Sequence, residues 1–307
     1  MTDRKHAPVA SQPRVVYVAG ARNCGSTLLD AILGNAPGAR SLGEVGGFHR
    51  YGPGEACACR LPATSCRPCG EASAALHAAR DDFHRVARLP LKERRLHWTL
   101  LGTRARRRYA ELADVIFRSV VGSTGCRVLI DSSKNATRAA ALAHDSELDV
   151  RVIHLVRDGR GYLRSRRSRA ALDGTRYIPP LEMASWLAKN LLIATLLRRT
   201  LPPDRYLLCR YEDLLTDPDK ELARIGSFTG LDVTSLAATA TTPPGVPRHH
   251  LFEPVRRTDY RQVVLDVARL ESQRETPGRN LRYWILGGFV SSLWGYDRQQ
   301  RYLATRV

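Results

Sequence analysis

Val15-Val-Tyr-Val-Ala-Gly-Ala-Arg-Asn-Cys-Gly-Ser-Thr-Leu-Leu29 is the stretch that decides the fold. Val15 to Ala19 is a short β-branched run that stops at Gly20, the pattern of a parallel strand buried on both faces and feeding a loop. Leu28 to Leu33 reads as the helix that follows, and Gly34-Asn-Ala-Pro-Gly38 closes it, because Pro37 cannot continue a helix. Between strand and helix, Gly20-Ala-Arg-Asn-Cys-Gly25-Ser26-Thr27 has the Gly-x4-Gly spacing of a phosphate-binding loop (P-loop). Glycines let backbone N–H groups turn inward on an anion, and a helix N-terminus adds its partial positive charge.

Outward from that loop the same rhythm repeats. Arg127 to Asp131 and Val150 to Val156 read as strands, with a helix from Ala136 to His144 between them. Gly161 to Ala170 follows as a very basic helix, Leu181 to Arg199 as an amphipathic one, Tyr206 to Cys209 as a fourth strand and Pro218 to Phe228 as another helix. This alternation predicts an α/β fold: a P-loop-type parallel sheet with helices on both faces and ligands at the carboxyl ends of the strands. Apolar residues three and four apart from about Ala72 to Val121, broken at Pro90, predict a helical insertion suited to acceptor contacts. Thr241 to Pro247 reads as a loop. Residues 1–13 are expected to be a flexible N-terminus and 14–307 a single domain, ending in a helical region from about 260 to 307.

The chain has 307 residues and 43% apolar content, enough for a large core. Its 48 Lys and Arg against 30 Asp and Glu give +18, a surface that attracts nucleotides, anionic lipids, acidic glycans or nucleic acid. No zinc-finger spacing, RNA-recognition signature or helix-turn-helix pattern accompanies the charge, so nucleic acid is not the expected partner. The polar segment Met1 to Arg14 and the brief apolar run after it do not make a signal peptide, which points to a cytoplasmic location. Tyr283 to Trp294 is apolar and aromatic over about a dozen residues where a span needs roughly 20. A packed C-terminal helix is the preferred reading and an interfacial helix the rival, which leaves peripheral membrane contact open. Cys57-x-Cys59-x6-Cys66-x2-Cys69 gathers four of the seven cysteines among Gly and Pro. Such spacing suits a structural Zn²⁺, with a disulfide pair as the rival.

A nucleotide triphosphatase would carry Lys where this chain has Ser26, which argues against kinase or ATPase chemistry. Three further segments accompany the loop: Leu129-Ile-Asp-Ser-Ser-Lys134-Asn135, Val152-Ile-His-Leu-Val-Arg157-Asp-Gly-Arg-Gly-Tyr-Leu-Arg-Ser165 and Tyr211-Glu-Asp-Leu-Leu-Thr-Asp-Pro218. Together with Gly25-Ser-Thr-Leu-Leu29 they resemble the sulfotransferases that use 3′-phosphoadenosine 5′-phosphosulfate (PAPS), particularly the bacterial group related to tyrosylprotein and carbohydrate sulfotransferases. The resemblance spans roughly Val15 to Asp232.

It implies that Arg22, Asn23, Cys24, Gly25, Ser26 and Thr27 hold the 5′-phosphosulfate. The chain departs from the family pattern here: Asn23 stands at the usual Arg position and Cys24 at the usual Ser, with the nearest cation, Arg22, one residue earlier. Arg157 and Ser165 would bind the 3′-phosphate, an Arg fork and a hydroxyl converging on one dianion near a helix start. Lys134 would contact the leaving group and, with help from Arg22, stabilise charge on the transferring sulfuryl and bridging oxygen; Tyr211 would belong to the nucleotide site, while Glu212 and Asp213 read as helix caps. Glu44 falls where the tyrosylprotein enzymes carry a catalytic Glu and is the first choice of base. His49 and His97 are the second choices, because cytosolic relatives use His, and His154 reads as a core residue. A late segment that closes over the nucleotide would fall at His249 to Arg257 or at Gly278-Arg279-Asn280.

The implied reaction is in-line displacement of a sulfuryl group onto an acceptor hydroxyl, releasing adenosine 3′,5′-bisphosphate. A sulfuryl group carries less charge than a phosphoryl group, so no catalytic metal is called for. Two alternatives stay open. One is a P-loop kinase with Asp131 as its Mg²⁺-binding acid; the other is a non-enzymatic basic protein that binds nucleic acid or a membrane surface.

Overall fold

The computed structural model describes residues 12–46, 104–247, 262–266 and 277–297, with isolated positions at 65, 67, 70, 71 and 270. Five strands, β1 (Arg14–Gly20), β2 (Ala39–Gly43), β3 (Val128–Lys134), β4 (Asp149–Val156) and β5 (Tyr206–Arg210), form one sheet in the order β2-β3-β1-β4-β5. Every neighbouring pair is parallel. From β1 the chain first builds the β2 and β3 side, then crosses to β4 and β5. That reversal places a crevice at the carboxyl end of β1, the usual ligand site of an open parallel sheet.

The central strand explains its own sequence. Val15 to Ala19 are fully buried, so a run apolar at every position is what two covered faces require. The period of two divides it: Val15, Tyr17 and Ala19 face one core, Val16 and Val18 the other. The elements that cover these faces are α1 (Ser26–Gly34), α2 (Arg104–Thr124), α3 (Ala136–Asp145), α4 (Gly159–Asp173), α5 (Pro179–Ile193), α6 (Tyr211–Thr216), α7 (Pro218–Thr229) and α8 (Leu236–Thr241). The first core is filled from α2, α3 and the end of α5, with Tyr109, Ile116, Phe117, Leu142 and Ile193. The second is filled from α1, α6, α7 and α8, with Leu29, Ile32, Leu214, Leu222 and Ile225.

A third, smaller cluster sits at the carboxyl end of β4. Val156, Tyr162, Met183 and Trp186 meet Tyr283, Trp294 and Tyr296 there. The last three come from α9 (Pro277–Ile285), a 3-10 segment Gly288–Trp294 and the residues just after it. The run Tyr283 to Trp294 is therefore two pieces, broken at Gly287, whose φ of 103° is the left-handed geometry that stops a helix. Tyr283 and Trp294 pack inward while Leu281, Ile285, Phe289 and Leu293 are exposed. No helix among the described residues is long and apolar enough to cross a membrane.

Two elements differ from expectation. Ala39-Arg-Ser-Leu-Gly43 has no strand signal of its own, yet it pairs with β3, Ala39 opposite Val128 and Ser41 opposite Ile130. The segment read as a loop from Thr241 contains the end of α8 and a two-residue strand, β6 (Val246–Pro247), antiparallel to β7 (Gln262–Val263). Of the expected helical insertion, residues 104–121 belong to α2, and almost all of the rest lies outside the described residues.

Candidate active site

The loop after β1 bends through two left-handed residues, Asn23 at φ 59° and Gly25 at φ 98°. Asn tolerates that region better than most side chains, which gives position 23 a local reason for Asn. Gly25 is the N-cap of α1 and supplies no side-chain cap, so the first N–H groups of the helix are left for another acceptor. Glycine is obligatory there for a second reason: a Cβ would come within 2.4 Å of the Tyr211 ring. Ser26 is almost fully buried at the helix start and Thr27 is half-buried. Cys24 turns the other way, 1% exposed within the second core, and burial raises its thiol pKa. Its thiol is therefore shut in among apolar neighbours, where it keeps a hydrogen bond to Ser26.

Arg157 leaves the end of β4 and lies over the Tyr211 ring, its guanidinium carbon 4.7 Å from the centroid. Its Nη1 donates to the Asn23 carbonyl oxygen at 3.2 Å. Its Nε is buried with no hydrogen-bond partner among the described residues. Ser165, two turns into α4, is half-buried and accepts a hydrogen bond from Asn23 Nδ2 at 2.8 Å. Asn23 thus touches both Arg157 and Ser165, joining the loop to the start of α4. Arg157 is not paired with Asp158. That carboxylate holds Arg160 instead, at 2.6 Å, and caps α4 through the Arg160 N–H.

Glu44 and Lys134 meet at the carboxyl ends of β2 and β3. Lys134 Nζ donates to Glu44 Oε1 at 2.5 Å and to the Ser132 carbonyl at 3.2 Å. Lys134 has φ 65°, and the β1–β3 register slips beside it, so the strand kinks as it delivers this side chain. The kink is held from below. The Tyr17 hydroxyl donates to the Asn135 carbonyl and accepts the Asn135 N–H, and Asn135 caps α3 through the Arg138 N–H. The Glu44 side is held as well, since Gly46 N–H donates to Ser133 Oγ at 2.8 Å.

Other residues fall elsewhere. Asp131 is fully buried: Oδ1 accepts from the Ser133 N–H and hydroxyl, Oδ2 from Arg138 Nε and Nη2. Enclosed in this way it cannot coordinate a metal ion, which removes the support for the kinase alternative. Arg22 is exposed. Arg166, hydrogen-bonded to Glu182, is the main reason that carboxyl's pKa is lowered, and the Arg22 charge adds to the effect. His154 is a core residue, fixed between Tyr206 and Asn190 at 2.7 and 3.1 Å, and burial holds its pKa down to about 4. Asp213 pairs with Arg210, and Glu212 is wholly buried rather than capping a helix. Burial, then the Asp158 charge, pushes the Glu212 carboxyl up to about 7.

His49, His97, His249 to Arg257 and the cluster Cys57, Cys59, Cys66 and Cys69 lie outside the described residues. Gly278-Arg279-Asn280 forms the first turn of α9. Among the described residues no group of three or more His, Cys, Asp or Glu could hold a metal ion.

A Gly-x4-Gly loop at the reversal point of a five-stranded parallel sheet, with an Arg and a Ser opposite it, defines the class: an α/β protein with a crevice at the carboxyl end of its central strand. Comparison with known proteins makes that class specific. The sequence profile of the Sulfotransferase family matches residues 13–235, and the chain belongs to this family. Carbohydrate sulfotransferase 5 of Mus musculus is 36% identical over 110 residues, 30% of this chain and 28% of that protein. The matched part is thus under a third of the curated relative's length. Among solved structures, the sulfotransferase domain from the Synechococcus PCC 7002 olefin synthase has 24% identity and TM-score 0.52, over 94% of this chain and 98% of that one. The sulfotransferase domain from the curacin biosynthetic pathway has 16% identity and TM-score 0.54, over 93% and 98%. At such identities the two structures speak for the shared fold.

Proposed function

We propose that the protein transfers a sulfuryl group from PAPS to an acceptor hydroxyl. The observation that carries this reading is Asn23: one residue of the phosphate-binding loop bonds both Arg157 and Ser165. Two anion sites linked in this way suit an adenosine carrying phosphates at both the 5′ and 3′ positions. The residues fit such a ligand, because the Nε of Arg157 is buried without a partner among the described residues and the start of α1 has no side-chain cap. ATP, with all its phosphates on one side, would leave Arg157 and Ser165 without a role.

When bound, the donor supplies an activated sulfuryl whose bond to the 5′-phosphate breaks as the acceptor oxygen bonds to sulfur. The chain's residues divide the remaining work. Backbone N–H groups of 23–27 hold the 5′ end, while Arg157 and Ser165 hold the 3′-phosphate and fix the register of the nucleotide. Glu44 takes the acceptor proton. In the free protein its Oε1 is occupied by Lys134 Nζ. Lys134 must therefore turn from Glu44 toward the negative charge developing on the bridging oxygen. One movement then frees the base and stabilises the leaving group. Tyr211 is a support, buried beneath Arg157 and against Gly25. A cytoplasmic location suits the PAPS reading.

Thermal shift with nucleotides tests the proposal. Adenosine 3′,5′-bisphosphate should raise the melting temperature more than ADP does, with or without Mg²⁺. Equal shifts, or a Mg²⁺-dependent preference for ATP, would refute it.

A further inference from the structure

Residues 277–297 lie beyond the stretch matched by the family profile, yet they are bonded to the part of the sheet that carries Arg157. The Tyr296 hydroxyl lies 2.6 Å from Glu212 Oε2 and 3.1 Å from the Val156 carbonyl oxygen. Arg160 Nη2 donates to the Asp297 carbonyl at 2.8 Å, and Arg210 Nη1 to the Gly295 carbonyl at 2.8 Å. Trp294 packs edge-on against Trp186, with centroids 5.3 Å apart. The Trp186 indole N–H in turn donates to the Arg157 carbonyl at 3.1 Å. On the other side of that peptide, the Asp158 N–H donates to Glu212 Oε1 at 3.1 Å. The backbone of Arg157 is thus gripped twice, through Trp186 and through Glu212, and both grips lead to the C-terminal segment.

Hydrogen counting adds a constraint. Tyr296 has one hydroxyl proton and two acceptors within reach, Glu212 Oε2 and Val156 O. Tyr296 can share that proton between the two acceptors, but two full bonds form when Glu212 is protonated and donates to the Tyr296 oxygen, which then donates to Val156. A neutral Glu212 is consistent with its surroundings. It is fully buried, the Asp158 carboxylate disfavours its charge, and its Oε1 needs only to accept. Of the cations nearby, Arg160 pairs with Asp158 and Arg210 with Asp213, while the Arg157 charge favours the carboxylate but is outweighed by burial and Asp158.

We infer that Glu212 and Tyr296 are positioning residues for the 3′-phosphate site, fixing the peptide from which Arg157 projects. This rests on the reading that Arg157 binds the 3′-phosphate of the donor. Loosening the peptide would let the guanidinium sample orientations that miss the phosphate, and binding would then bear the cost of reordering it. The phenol acts through Glu212 and touches no ligand.

Calorimetric titration with adenosine 3′,5′-bisphosphate and with AMP, well below each variant's melting temperature, tests the inference. Tyr296→Phe and Glu212→Ala should weaken the bisphosphate about three- to tenfold, the range of one or two lost hydrogen bonds, and leave AMP unchanged. Turnover at saturating donor should not fall. Glu212→Gln, which can accept from Asp158 and donate to Tyr296, should bind like the parent. If Glu212→Ala does not fold, Tyr296→Phe, which keeps the ring, carries the test. A lower melting temperature with an unchanged bisphosphate-to-AMP ratio in Tyr296→Phe would overturn the inference, since the pair would then serve stability alone. A loss in Glu212→Gln that reproduces that of Tyr296→Phe would overturn it as well, because the neutral pairing would be wrong. A parent protein with no preference for the bisphosphate over AMP would sink the donor reading itself, and this role with it.

Discussion

Arg157→Ala is the perturbation with the widest reach. Among the described residues the side chain makes two contacts, the stack on Tyr211 at 4.7 Å and the bond to the Asn23 carbonyl at 3.2 Å. Their loss should destabilise the fold by about 1–3 kcal/mol, summing a partly buried cation–π contact and one long hydrogen bond of ordinary net worth. Binding should suffer more. The buried Nε has no partner among the described residues, so a 3′-phosphate would meet a guanidinium with donor capacity in reserve. Removing such a charge-assisted partner from a dianion costs about 2–4 kcal/mol, or about 30- to 1,000-fold in affinity. Isothermal titration with adenosine 3′,5′-bisphosphate should show that loss, while AMP, which lacks the 3′-phosphate, should bind weakly to the parent and lose little more. Arg157→Lys should fall between, because it keeps the charge without the fork. An equal loss for AMP would refute the reasoning, since Arg157 would then support the fold or another part of the nucleotide.

Glu44→Gln should lower kcat by about a hundredfold or more with donor affinity almost unchanged, measured by initial rates and by titration. Near-normal turnover would pass the role of base to His49 or His97. Gly25→Ala should destabilise the protein by about 1–3 kcal/mol in urea unfolding, because φ 98° strains any L side chain and the new methyl meets the Tyr211 ring; an unchanged midpoint would contradict the packing described. Glu212 also sets a pH dependence. Its folded pKa lies near 7, above the ordinary 4.5, so the folded state holds the proton more tightly and stability falls as pH rises from about 4.5 to about 7. Glu212→Gln removes that slope, and its stability relative to the parent should rise by on the order of 3 kcal/mol across the window. His154, whose depressed pKa acts in the opposite direction, is present in both proteins and cancels in the difference. A flat difference would mean that Glu212 titrates normally.

Much of this was legible in the sequence where a single segment carries its own signal. Val15 to Ala19 is apolar at each position because both faces of β1 are covered, and the glycine spacing that follows has one conformational meaning. That Arg157 and Ser165 act together is what the family resemblance implies, and the structure brings both to Asn23. The edge strand β2 could not be read, since Arg40, Ser41 and Gly43 have no strand preference and the pairing with β3 creates the element. Glu212 was read as a cap because local spacing allows it. Its actual partner, Tyr296, is 84 residues away, and no periodicity announces such a contact. Asp131 gave a similar false lead, because its bond to Arg138 depends on a helix returning over the strand end.

The bridge at Asn23 also bears on how such an enzyme can change over generations. A substitution to the more usual Arg would have to adopt the left-handed backbone at φ 59° and would withdraw the amide that Ser165 now receives. In this chain positions 23 and 165 are therefore coupled through one hydrogen bond, which a replacement at either would break. A lineage that replaces the loop piecemeal would pass through intermediates with the loop and the start of α4 uncoupled, whereas exchanging both segments as a block would avoid them.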